Sequence, residues 1–228
     1  MKYIYTHLGL GDHIICNGLV RSLINENEEY SLFVKSHNRN TVEFMFRDLT
    51  NIEYIEGDDS FVNYYLETHN IKSDDVIVAG FYTHPSSKEF DESFYLQNNL
   101  DFNLRWDNFK VERDINSELE LFKKYNVVEN EYVFIHDDSG RSLIIDEFHI
   151  INKDLPIIRP IFGLTNNVFD YCYLMQNSKE SHFIDSSFRL IFDSLLLRNE
   201  NIFYHINLLN GVVRDSTSSH SKLNFKII

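Results

Sequence analysis

The chain has 228 residues, 43% of them hydrophobic, with 19 Phe and 13 Tyr but only 8 Gly and 3 Pro. That composition excludes disordered, collagenous and Pro-rich linker classes and predicts a compact fold with a sizeable core. Acidic residues outnumber Lys and Arg by 35 to 21, and the formal net charge of −14 repels polyphosphate. Nucleic-acid binding is therefore disfavoured, while one phosphorylated small molecule held by a few Arg side chains and backbone amides is not.

The two cysteines, Cys16 and Cys172, stand far apart with no CxxC partner. They read as buried thiols in helical patterns, not as a disulfide framework or metal ligands. Met1-Lys2-Tyr3-Ile4-Tyr5 runs straight into a strand pattern without a cleavable signal, and no apolar run approaches the roughly 20 residues of a membrane helix. The cytoplasm is the expected location.

In chain order, the strand Tyr3-Ile4-Tyr5 is followed by a helix from about Asp12 to Asn25, with Ile14, Ile15, Leu19, Leu23 and Ile24 on its apolar side. Ser31-Leu32-Phe33-Val34 leads to a helix near Arg39 to Arg47. Ile52-Glu53-Tyr54-Ile55 leads to a helix near Ser60 to Thr68, and Asp75 to Ala79 closes the series. Strand and helix at this spacing predict right-handed βαβ units on a parallel sheet. From Gly80 to Val111 the rhythm breaks into an aromatic, polar stretch with a turn at His84-Pro85-Ser86-Ser87 and no long periodic segment. A helix at Ile115 to Tyr125 bridges to a second half. There Tyr132 to Ile135, Leu155 to Ile158, Ser181 to Ile184 and Ile202 to His205 read as strands, with helices at Val168 to Gln176 and from Asp185 through Arg198. The polar, Ser-rich tail from Asn210, ending in Leu223 to Ile228, has no assignment. The expected architecture is α/β, with two Rossmann-like half-sheets facing a central cleft. The first domain spans 1–112 and the second 113–228.

Three strand-to-helix turns carry unusual residue types, and ligands of parallel sheets bind beyond the carboxyl ends of strands, where helix N-termini favour anions. In His7-Leu8-Gly9-Leu10-Gly11-Asp12-His13, the glycines permit close backbone approach. Asp12 is placed to cap the following helix, and equally Asp12 or His13 to act as a general base. A dinucleotide site is disfavoured, because Ile14 stands where GxGxxG needs its third glycine and Val34 is followed by Lys35, not by an acid. Asp138-Ser139-Gly140-Arg141 combines a hydroxyl, an amide and a guanidinium that suit a phosphate, or forms an ordinary turn with its Asp and Arg in solvent. In His182-Phe183-Ile184-Asp185-Ser186-Ser187-Phe188, the serines either cap a helix or line an anion site, and His182 reads as a satisfied core or edge histidine. Asp58-Asp59 and Asp74-Asp75 read as capping or solvated acids. No metal-ligand spacing, P-loop, nucleophile elbow or HExxH helix is present.

The order of these turns resembles that in GT-B glycosyltransferases, and most of all the heptosyltransferase-like family of bacterial enzymes that extend lipopolysaccharide cores. The resemblance runs from residue 1 to about 198. It implies that Gly9 and Gly11 form the acceptor-side loop of the first domain and that Asp12 is the base. It also implies that Ser139, Gly140 and Arg141, with Asp185, Ser186 and Ser187, hold the donor phosphates in the second. The family's Gly is replaced by Ser187, its His-Ala pair is missing from the helix that follows, and Arg141 stands in for a mid-chain Lys. The implied activity is inverting, metal-independent transfer of a sugar from a nucleotide-sugar donor to a glycan or glycolipid hydroxyl, with no cofactor besides that donor. A sugar-nucleotide epimerase or hydrolase, or a non-catalytic glycan- or partner-binding domain on the same scaffold, are the alternatives.

Overall fold

The computed structural model describes residues 1–82, 84–87, 89–206 and 221–228 in full, and 208–209 and 212–213 by their backbone pairing. The Ser-rich stretch 214–220 lies outside the described residues. The chain divides into two compact units, Met1–Glu112 and Arg113–Ile228, each built on a parallel sheet as the βα rhythm requires.

In the first unit, β1 (Lys2–Thr6), β2 (Tyr30–Val34), β3 (Ile52–Glu56) and β4 (Val76–Ala79) form a sheet in the order β3-β2-β1-β4. Every pairing is parallel, with Ile4 opposite both Leu32 and Ile77. All five residues of β2 are buried, as an interior parallel strand covered on both faces demands. The helices are α1 (Leu10–Ile15), α2 (Asn17–Leu23), α3 (Arg39–Met45), α4 (Asp59–Thr68), α5 (Phe90–Leu96) and α6 (Leu104–Asp107). The single helix expected from Asp12 to Asn25 starts two residues earlier and is divided at Cys16, which ends α1 and opens α2. Asp58 caps α4, its carboxylate accepting from the Phe61 amide at 2.9 Å.

The irregular stretch after β4 holds α5 and α6, which are too short to register as a 3.6-residue period. They are tied together by a fully buried ion pair between Arg105 and Asp91, with the Arg105 guanidinium 5.0 Å from the Trp106 ring centre. The turn expected at His84 is present, the Ser87 amide donating to the His84 carbonyl.

The second unit opens with α7 (Ile115–Tyr125), capped by Asp114 and ended by Asn126 in the left-handed region at φ 51°. The strands β5 (Val133–His136), β6 (Ile157–Ile158), β7 (Glu180–Phe183), β8 (Asn201–Tyr204) and β11 (Lys226–Ile227) form a parallel sheet in the order β11-β8-β7-β5-β6. The end of the unassigned tail thus contributes an edge strand. Between β8 and β11, β9 (Leu208–Leu209) and β10 (Val212–Val213) make a separate antiparallel pair. Helices α8 (Cys172–Gln176) and α9 (Ser187–Ser194) follow β6 and β7. α9 stops short of Arg198 because Leu196 adopts φ 50°, where a helix cannot continue. Both cysteines are free and buried. No helix among the described residues is long and apolar enough to cross a membrane.

Because the Arg105–Asp91 pair has no access to water, removing one partner strands a buried charge. Asp91→Ala is expected to cost about 3–5 kcal/mol, read as a lower urea midpoint. An unchanged midpoint would show that the pair does not anchor α6 to α5.

Candidate functional site

The first turn departs from its expected geometry. The residue preceding α1 is Gly9, in an extended conformation and with no side-chain cap, so Asp12 is the third helical residue and not the cap. At that position a carboxylate folds back toward the start of the helix, where the unpaired amides and the dipole favour it. A Cβ at Gly9 would lie 2.5 Å from Asp12 Oδ2, so the carboxylate at 12 folds back over the backbone of residue 9 and would have to turn aside for any larger side chain there. Gly11 lies in the same helical turn, half-buried like Asp12.

His13 is 1% exposed. Its Nδ1 lies 3.4 Å from Thr6 Oγ1, and its Nε2 has no hydrogen-bond partner among the described residues. Burial, reinforced by the positive charge of Lys35, pushes its pKa down to about 4. It is a neutral core imidazole in this structure, because the helix starts early enough to turn position 13 inward.

In the second unit, a pocket of about 390 Å³ opens at the carboxyl ends of β5 and β6, where parallel sheets hold their ligands. His136 and Asp137 come from the end of β5, and Ser139 from the turn after it. Ile144 and Glu147 come from the crossover segment, and Arg159 and Pro160 from the end of β6. Of the second turn, only Ser139 lines this pocket. Arg141 points elsewhere: its Nε donates to Asp138 Oδ2 at 2.7 Å, and its amide is capped by the same carboxylate at 3.0 Å. Gly140 lies between them, exposed. The turn closes on itself because a three-residue spacing matches the Asp138 acceptor to the Arg141 fork.

The cation of the pocket is Arg159, which the sequence reading passed over. Its Nε donates to Asp137 Oδ2 at 3.2 Å, and its terminal nitrogens lie 3.4–3.5 Å from Glu147 Oε1. The available signal was its place directly after the apolar run Leu155 to Ile158, at a strand's carboxyl end. Beside it, the His136 ring is stacked on Phe188, centroids 4.0 Å apart and planes 20° apart. Its Nδ1 is buried with no partner among the described residues. Burial holds His136 neutral, with a pKa of about 4, against the opposing pull of Asp137 and Asp138.

The third turn is a helix cap. Ser186 precedes α9 and its Oγ accepts from the Arg189 amide at 3.5 Å, while Asp185 Oδ1 accepts from the Arg189 guanidinium at 3.3 Å. Ser187 is the first residue of α9. Register places His136 opposite Phe183, and the His136–Phe188 stack joins the second and third turns. Asp185, Ser186 and Ser187 nonetheless stay out of the pocket lining.

Beneath the pocket segment runs a buried polar chain. Glu180 accepts from the Ile151 amide, the Asn152 amide and Asn152 Nδ2 at 2.6–3.0 Å. Its Oε1 lies 2.6 Å from His182 Nε2, and His182 Nδ1 lies 2.8 Å from His205 Nε2. The hydrogen bonds hold the Glu180 carboxyl below its ordinary range despite burial. An ionised Glu180 fixes the tautomers: His182 donates from Nε2, and so must accept at Nδ1 from His205 Nε2. His182 is thus the satisfied core histidine that its strand position implied.

Comparison with protein-family models gives no match, and comparison with curated protein sequences gives none. Among solved structures, the E. coli heptosyltransferase WaaC with ADP is similar to this chain at a TM-score of 0.45 and 9% identity, covering 92% of this chain and 88% of that one. At that score and identity the likeness bears on neither the site residues nor the chemistry.

Three histidines, His13, His136 and His205, are held neutral with pKa values of about 4, against about 6.5 when unfolded. Their contribution to stability is complete above pH 6.5 and is lost as pH falls toward 4, because only the unfolded chain takes up the protons. Urea unfolding between these limits is expected to weaken, with each histidine adding up to roughly 1.4 kcal/mol per pH unit. His13→Gln should flatten the slope by one proton's worth, and an identical slope in that variant would contradict the assignment.

Proposed function

We propose that this protein is a glycosyltransferase that takes a nucleotide-sugar donor in the second-unit pocket and passes the sugar to a hydroxyl of a glycan acceptor. The observation that carries the reading is the pocket at the carboxyl ends of β5 and β6, with Arg159, Ser139 and His136 in its wall. Arg159 takes the role that the resemblance gave to Arg141, and its two carboxylate partners differ in kind. Asp137 is nearly buried and aims the guanidinium, whereas Glu147 is 60% exposed and at long range. An exposed pair of that kind is worth at most about 1 kcal/mol, so a phosphate oxygen displaces Glu147 at little cost.

In this reading the acceptor oxygen attacks the anomeric carbon and its proton passes to the Asp12 carboxylate. The anomeric C–O bond breaks with its electrons going to the diphosphate, where Arg159 and Ser139 stabilise the charge. The reaction inverts the anomeric centre and needs no metal. A role in polysaccharide assembly in the cytoplasm goes with it. A second reading, glycan binding without transfer, is favoured by the balance of the same lining, which sets two carboxylates against one guanidinium.

Millimolar UDP, GDP or ADP should raise the melting temperature, and Arg159→Ala should weaken that binding by about 1.5–3 kcal/mol, or roughly ten- to a hundredfold. Asp12→Asn should keep the donor-induced shift and lose transfer. No shift with any of the three diphosphates would leave the glycan-binding reading standing in its place.

A further inference from the structure

In the first sheet the order β3-β2-β1-β4 reverses direction at β1, so the crevice between the carboxyl ends of β1 and β4 is the topological switch point, where open α/β sheets hold ligands. The residues there are aromatic and exposed. The pairing of β1 with β4 continues through the His7 amide, which donates to the Ala79 carbonyl, and so sets His7 beside Gly80 and Phe81. The His7 and Phe81 rings lie 5.0 Å apart, and Phe90 meets His7 edge-on at 6.0 Å. Phe81 and Phe90 are 40% and 39% exposed, and His7 is exposed as well.

The two phenyl rings are each backed by a buried one. Phe81 packs on Tyr5 at 4.4 Å and Phe90 on Phe94 at 4.8 Å. The surface is therefore held in shape before any ligand arrives, which spares the entropy of ordering it on binding. The backbone is fitted to the same purpose. Gly80 adopts φ +96°, and a Cβ there would lie 2.9 Å from the Phe94 ring and 3.2 Å from His7.

We propose that His7, Phe81 and Phe90 form a stacking platform for an uncharged sugar ring. The C–H groups on one face of a pyranose carry partial positive charge and suit the negative face of an aromatic ring. Two acidic residues stand beside these rings in the chain, Asp12 in the turn after His7 and Glu89 directly before Phe90. Asp12, in the turn that begins at His7, is of the type that accepts sugar hydroxyls. This deepens the acceptor side of the glycosyltransferase reading and rests on it only for calling the sugar an acceptor.

The test needs no donor. Saturation-transfer NMR with the methyl glycosides of glucose, galactose, mannose and N-acetylglucosamine should show transfer concentrated on one ring face for at least one of them. Phe81→Ala and Phe90→Ala should each weaken that sugar by about tenfold, with circular dichroism confirming the fold. Phe81→Trp keeps an aromatic surface, so it should retain binding and its emission should shift when the sugar is added. No transfer to any glycoside, equal binding by Phe81→Ala, or preference for UMP or AMP over every glycoside would each overturn the proposal. Sugar binding without a nucleoside-diphosphate shift would sustain the platform and remove the transferase, and the reverse pattern would do the opposite.

Discussion

A parallel sheet has to be covered on both faces, and between β5 and β6 the chain makes that crossover without an α-helix. Residues 137–156 contain only two short 3₁₀ turns, Ser139–Arg141 and Glu147–His149, and the amides of Ile151 and Asn152 find their acceptor outside the segment. The Glu180 carboxylate answers this from the sheet itself, accepting three hydrogen bonds from Ile151 and Asn152 and a fourth from His182. A buried carboxylate without such bonds would cost several kcal/mol; with them it stays ionised. Because the segment is fastened at this point, Ile145 and Ile150 pack onto Val133, Ile135 and Ile184. Ile144 and Glu147 are left as pocket wall. The pocket side of the second unit depends on a residue outside the pocket lining.

The first unit meets the same demand by other means. Its long excursion after β4 folds into α5 and α6 and is held by the Arg105–Asp91 pair. Here too a buried charge interaction fastens an irregular stretch, in this case by tying α6 to α5. One consequence is local: α5 carries Phe94 inward and Phe90 outward. The ion pair on α5 therefore lies on the same helix that carries the second ring of the proposed sugar platform.

The strands and the two-sheet plan were legible because alternating short apolar runs and 3.6-period segments depend on local pattern alone. The same holds for α7, whose bounds coincide with its apolar repeat, and for the buried cysteines. What depends on side-chain direction was not legible. Asp12 looked like a cap because an Asp before Ile14 and Ile15 fits that role, yet Gly9 takes the cap position and the acid folds back over it. Arg141 was singled out for a phosphate by its place in the turn, and its pairing with Asp138 and its place outside the pocket lining depend on side-chain direction. Arg159 was silent because its carboxylate partners Asp137 and Glu147 are 22 and 12 residues away in the chain. The His7–Phe81–Phe90 cluster was hidden for the same reason, since β4 reaches β1 only through the topology of the sheet.

Exposure alone does not mark a functional side chain here. Phe162 stands fully in solvent and Phe148 is 76% exposed, and no buried ring backs either among the described residues. The groups assigned to ligands are built otherwise. Arg159 is aimed by the nearly buried Asp137, His136 lies flat on Phe188, Phe81 rests on Tyr5 and Phe90 on Phe94. In each case a partly accessible group is fixed by a buried or nearly buried one beside it, so its rotamer is settled before binding. Holding a side chain in this way removes about 0.5–1.5 kcal/mol of ordering cost per contact. Such fixation has no use on a surface that only meets water, and it occurs where strand ends converge at the carboxyl edges of both sheets.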